Sequence, residues 1–242
     1  MRQEWNDLLF VHWRVPAEVV QQRLPRGVTV DLYDGAAWVG VVGFHMDRVG
    51  VRGGVPYFGS FSEINVRTYV RGPDGRPGVW FDSLDVTRLI PALVARSTYG
   101  LPYMWAHMRI TSSDREQIYK SRRRWGGPSA SLEARAVVGA EIASADVSPL
   151  ERFLTCRWGL YSTMVGRLVY APVEHPEWPL HRASLTAFDE TVSAAAGYPG
   201  ATETPLVHWT PGVSVRIGRP RRVRVDWARS PELSVAPRAA GP

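Results

Sequence analysis

Four side chains that can do chemistry recur at every second position of Phe61-Ser-Glu-Ile-Asn-Val-Arg-Thr-Tyr-Val70. Side chains alternate along a strand, so Glu63, Asn65, Arg67 and Tyr69 share one face, against Ile64, Val66 and Val70 on the other. Such a row is either a solvated outer face or the inner wall of a barrel that holds a small polar ligand. Inside a barrel, burial raises a carboxyl's pKa and makes Glu63 a general acid or base. The plain alternative is an ion pair to Arg67 or Arg96.

Other chemistries lack their residues. Neither a G-x-x-x-x-G-K-[ST] loop nor G-x-G-x-x-G occurs, which argues against kinase and dinucleotide-binding readings. There is no G-x-S-x-G elbow. His12, His45, His107, His175, His181 and His208 form no H-E-x-x-H pair, so no metal and no cofactor is expected. Cys156, the single cysteine, reads as a buried, inert thiol.

The elements that position these residues read as strands more than helices. Val28–Tyr33 and Ala36–His45 flank Asp34-Gly35, a hairpin signal. Ile64–Val70 and Val79–Leu84 flank Pro73-Asp-Gly-Arg-Pro-Gly78, again turn chemistry. Met104–Ile110 and Leu132–Val138 alternate as half-buried strands. Three helices are expected: Ala17–Leu24 behind Pro16, Thr87 to about Tyr99, and one opened by the capping box Ser148-Pro-Leu-Glu151. The fold class is α+β with the sheet dominant and antiparallel. One domain spans 1–228, and the Pro/Ala/Gly-rich stretch 229–242 is a tail expected to fray.

Composition narrows the function classes. The 242 residues are 45% hydrophobic and 21% charged, an ordinary globular mixture. Mean hydropathy is −0.17, no apolar run approaches a membrane span, and no secretory signal stands at the start, so a cytoplasmic protein without a membrane partner is expected. Net charge is +6, carried by 29 basic residues of which Lys120 is the one lysine. No nucleic-acid motif accompanies the arginines, so nucleic-acid binding stands only as a minor alternative. Ten tryptophans, nine tyrosines and seven phenylalanines suit an apolar pocket.

The string Arg96-Ser-Thr-Tyr-Gly100-Leu-Pro102-Tyr103-Met104 resembles the G-R-E-x-x-G-x-P-K-K signature of acetoacetate decarboxylases, with Arg96, Gly100 and Pro102 in register. Trp13-Arg14-Val-Pro16-Ala-Glu18 is similar to the family's Y-R-T-D-P-E, and Glu63 to the glutamate of its Y-x-E strand. The chain resembles more closely still an uncharacterised, YqjF-like branch of that superfamily. Leu9-Phe-Val-His-Trp13, Asp34-Gly-Ala-Ala-Trp-Val39, Asn65-Val-Arg-Thr-Tyr-Val70, Trp178-Pro-Leu180 and Pro205-Leu-Val-His-Trp209 carry that likeness, across about residues 1 to 225. The resemblance implies a cone-shaped barrel around a ligand cavity.

The family's imine-forming lysine acts through an amine of depressed pKa. Its two lysine positions are Tyr103 and Met104 in this chain, and neither forms an imine. The resemblance places Arg14, Arg96, Asn65 and His208 around a substrate, with Arg14 gripping a carboxylate, and leaves Glu63 and Tyr103 as the candidate catalytic pair. Two functions stay open: an enzyme acting on a small carbonyl or carboxylate compound without imine chemistry, or a non-catalytic small-molecule binding barrel. The partner is a small-molecule ligand in both, and self-association into a homo-oligomer stays open.

Overall fold

The computed structural model describes residues 1–50, 59–88, 99–113 and 115–224. Thirteen strands form one sheet. They are β1 (Arg2–Val15), β2 (Thr29–Val30), β3 (Ala37–Gly50), β4 (Phe61–Arg71), β5 (Pro77–Val86), β6 (Tyr103–Ser112), β7 (Glu116–Trp125), β8 (Ser131–Glu141), β9 (Gly159–Met164), β10 (Arg167–Glu174), β11 (His181–Glu190), β12 (Leu206–Ile217) and β13 (Arg221–Arg222). Three short α-helices punctuate them among the described residues: α1 (Ala17–Gln21), α2 (Pro149–Thr155) and α3 (Val192–Ala195).

The pairings close on themselves. β1 pairs with β3, β3 with β4, β4 with β5, β5 with β9, β9 with β10, β10 with β12, and β12 returns to β1. A second path leaves β5 through β6, β7, β8 and β11 and rejoins at β12. The strands β1, β3 and β4 are therefore walls common to both rings, buried on both faces. Leu8, Phe10, Val42, Phe44, Phe61 and Tyr69 face one core, while Leu9, Val11, Val39, Val41, Ile64 and Val66 face the other. This explains why β4 is buried at ten successive positions rather than alternating.

Local chemistry fixes several joints as expected. Ser148 Oγ accepts from the Glu151 N–H at 3.2 Å, and the Ser148 N–H donates to Glu151 Oε2 at 2.6 Å, so the capping box opens α2. Asp34 and Gly35 both take positive φ, 51° and 73°, the signature of a tight hairpin turn. That turn does not join the expected pair, however. Only the Tyr33–Ala36 bridge forms there, and β2 pairs with β4 instead, because β3 is already flanked by β1 and β4.

Between Val66 and Arg67 the register on β5 skips Asp82. This bulge re-phases the strand, so that Val79 and Phe81 before it and Leu84 and Val86 after it all face the same core. It also breaks the expected alternation of Asp82 with Leu84 and Val86. The helix expected from Thr87 to Tyr99 falls on residues 89–98, and the tail on 229–242, both outside the described residues. Among the described residues no helix is long and apolar enough to cross a membrane.

Candidate active site

Two members of the β4 row, Glu63 and Arg67, line an interior cavity. Glu63, Arg67, Val79, Phe81, Leu84, Tyr103, Arg157 and Trp178 belong to the wall of a cavity of about 50 Å³. A water needs on the order of 10–15 Å³ of such space, so the cavity has room for only a few water-sized groups. Its lining is mostly apolar, with a few convergent polar groups, the usual build of a ligand site.

Glu63 is 3% exposed. Asn65 Nδ2 donates to its Oε1 at 2.9 Å, and the Tyr103 hydroxyl hydrogen-bonds the same carboxyl. Burial raises the Glu63 pKa to about 7, against the lowering pull of those two bonds and of the Arg67 charge. Desolvation and the neighbouring Glu63 raise the Tyr103 phenol well above its ordinary value, so it remains a protonated donor. No ion pair joins Glu63 to Arg67 among the described residues. In place of the Arg67 pair the carboxyl is held by an amide and a phenol, while the alternative pair to Arg96 lies outside the described residues.

Arg67 donates Nη2 to the Leu154 carbonyl at 3.3 Å and hydrogen-bonds the Tyr69 hydroxyl, while its Nε is buried with no acceptor. Its guanidinium lies 5.4 Å from the Phe10 ring centroid and 5.9 Å from that of Tyr69. Arg157, just beyond α2, gives Nε to the Phe153 carbonyl and Nη1 to Asp31, each at 2.7 Å.

Behind them sits a buried polar layer. The Tyr69 hydroxyl donates its single proton to the Leu154 carbonyl at 2.7 Å, so the His12 Nε2–H must be the donor in its 2.7 Å contact with Tyr69. Burial, then the Arg67 charge, lowers the His12 pKa well below its ordinary value. The imidazole is therefore neutral and structural.

The residues expected around the substrate are only partly brought together. Glu63 and Tyr103 meet at the cavity. Asn65 does not line it; it grips Glu63, because its side chain is spent on that carboxyl one step along the same face. His208 is also turned away, its Nε2 bonded to Glu151 Oε1 at 2.8 Å, which ties β12 to the cap of α2. Arg14 departs furthest. It is exposed at the end of β1, where the strand gives way to Pro16 and α1, and it lies 5.4 Å over the Trp38 ring. Arg96 lies outside the described residues. Among the described residues the cavity's guanidiniums are Arg67 and Arg157. Arg67 could be found from its position in the Glu63 row, whereas only tertiary packing brings Arg157 there.

The fold has solved counterparts. The enduracididine biosynthesis enzyme MppR, solved with pyruvate, superposes with a TM-score of 0.66 at 16% identity, covering 93% of this chain and 90% of that one. An acetoacetate decarboxylase from Legionella pneumophila gives 0.62 at 14% identity, over 92% of this chain and 87% of that one. An acetoacetate decarboxylase-like enzyme from Sphingomonas wittichii RW1 gives 0.62 at 15%, over 93% of each. At these identities the likeness is one of fold. In sequence, the uncharacterised protein YqjF of Bacillus subtilis is 33% identical over 211 residues, 86% of each chain. The family model for DUF2071, described as an uncharacterised conserved protein, matches residues 2–214. The chain thus belongs to the DUF2071 family, as a YqjF-like protein on the acetoacetate decarboxylase-like fold.

Proposed function

We propose that the interior cavity takes a small carbonyl compound bearing a carboxylate, held by Arg67 and presented to Glu63 and Tyr103. The observation that carries this reading is the juxtaposition of a buried carboxyl and a partly buried tyrosine with a buried guanidinium that has no carboxylate partner among the described residues. A guanidinium matches a carboxylate's geometry and charge. With a pKa near 7, Glu63 is present in both protonation states at neutral pH, the condition that suits a general base.

The chemistry that follows is enolisation without an imine. Glu63 as carboxylate takes a proton from the carbon next to the carbonyl, and that C–H electron pair becomes the C=C bond. The carbonyl π pair moves onto oxygen, and as Glu63 gains its proton the Tyr103 O–H shifts its single hydrogen bond from that carboxyl to the developing charge. The Glu63 proton exchanges with solvent, and its return to carbon restores both the ketone and the Glu63 carboxylate.

The second reading, binding without turnover, is favoured by the two donors already satisfying Glu63, which lower its basicity. Calorimetry with pyruvate tests the binding common to both readings. Wild-type protein is expected to bind and Arg67→Gln to bind at least about tenfold more weakly, the scale of one charge-assisted hydrogen bond. Equal affinity would remove Arg67 from the site.

A further inference from the structure

Among the described residues the charges on the cavity wall do not balance. Asp31 serves two arginines at once, Arg71 Nε at 2.8 Å and Arg157 Nη1 at 2.7 Å. Arg67 has no carboxylate within ion-pair distance among the described residues, and Glu63, the acid on the wall, is bonded to Asn65 and Tyr103 instead. Each cavity arginine also keeps one buried nitrogen without an acceptor, Nε in Arg67 and Nη2 in Arg157. Buried donors and buried charges are both costly when left unmatched.

Both guanidiniums lie close to one ring, 5.9 and 5.2 Å from the Tyr69 centroid. Arg157 is pinned by Asp31 and by the Phe153 carbonyl, and it packs 4.1 Å over the Phe153 ring. It cannot move without breaking those contacts. Asp31 offsets one of the three guanidinium charges of Arg67, Arg71 and Arg157, so a single further negative group would still leave one of them unmatched.

We infer that the site is built for a short dicarboxylate, with one carboxylate on Arg67 and the second on Arg157. This deepens the proposed function and rests on it, since it assumes that the interior is a ligand site.

The test is calorimetry at about pH 8, where both acid groups of each probe are ionised. Malonate and succinate are compared with propionate and butyrate, and inorganic phosphate serves as an anion with its charge on one centre. At least one dicarboxylate is expected to bind about tenfold or more tightly than its monocarboxylate counterpart. Arg157→Gln should erase that advantage while changing monocarboxylate affinity little, Arg67→Gln should weaken both, and Arg109→Gln on the outer face of β6 should change neither. Equal binding of mono- and dicarboxylates by the wild type overturns the inference without needing any variant to fold. Phosphate binding as tightly as the best dicarboxylate, or an advantage that survives Arg157→Gln, overturns it too. Monocarboxylate binding that depends on Arg67, without a dicarboxylate advantage, leaves the proposed function standing. Failure of every carboxylate to bind removes both.

Discussion

The Tyr103 hydroxyl reaches the Glu63 carboxyl across an intervening strand. Glu63 on β4 stands opposite Val86 and Tyr103 on β6 beside Leu84, so the pair closes over β5 from either side. A phenol in this position cannot readily ionise, and it therefore stays a protonated donor while the carboxyl changes state.

Stability should fall with pH because of Glu63. Its folded-state pKa is about 7 against an ordinary 4.5, so between those values the unfolded chain ionises first and folding loses free energy as pH rises. At 1.36 kcal/mol per unit the loss reaches at most about 3 kcal/mol and then levels off. The lowered pKa values of His12, His175 and His208 act in the opposite sense, destabilising the fold as pH drops through 6.5. The informative quantity is thus the difference from Glu63→Gln in urea unfolding at about pH 5 and pH 8. Wild type should lose stability relative to the variant over that interval; parallel behaviour would mean that Glu63 is not held protonated.

Gly40→Ala should destabilise the barrel by about 1–3 kcal/mol, the usual cost of overpacking. A Cβ there would stand 2.6 Å from His12 Cδ2 and 2.7 Å from His12 Nε2, displacing the ring that bonds Tyr69. An unchanged melting temperature would show that the His12 ring is not seated over Gly40.

Much of this was legible before the fold. The period-two row on β4 announced a polar face, and the capping box at Ser148 announced α2. Which way the Glu63 row faced was not legible, because Ile64 and Val66 opposite it are also buried and a strand between two cores shows no solvent side. The placements of Arg14 and His208 were not legible for a similar reason. A residue's place in a string does not reveal that a strand end, or a carboxylate such as Glu151, has already claimed its side chain.

Arg14→Gln should leave pyruvate binding within error of wild type, since Arg14 lies exposed over Trp38 and away from the cavity wall. Calorimetry that showed a loss comparable to Arg67→Gln would return Arg14 to the site.

Borohydride added to protein incubated with acetoacetate should leave the mass unchanged. Lys120, the one lysine, is half exposed on β7 and paired to Glu133 at 2.9 Å, not on the cavity wall. Burial is what prepares a lysine for imine chemistry, and Lys120 lacks it. A covalent adduct lost in Lys120→Ala would restore the imine route.

The central claim is that Glu63 moves a proton on a ligand anchored by Arg67, and exchange of the pyruvate methyl protons in deuterated water, followed by NMR, tests it most directly. The account predicts loss of the methyl signal with wild-type protein above the buffer rate. Glu63→Gln should fall to the buffer rate while still binding pyruvate by calorimetry. Exchange that proceeds undiminished in Glu63→Gln, or wild-type protein saturated with pyruvate and showing none, would contradict it.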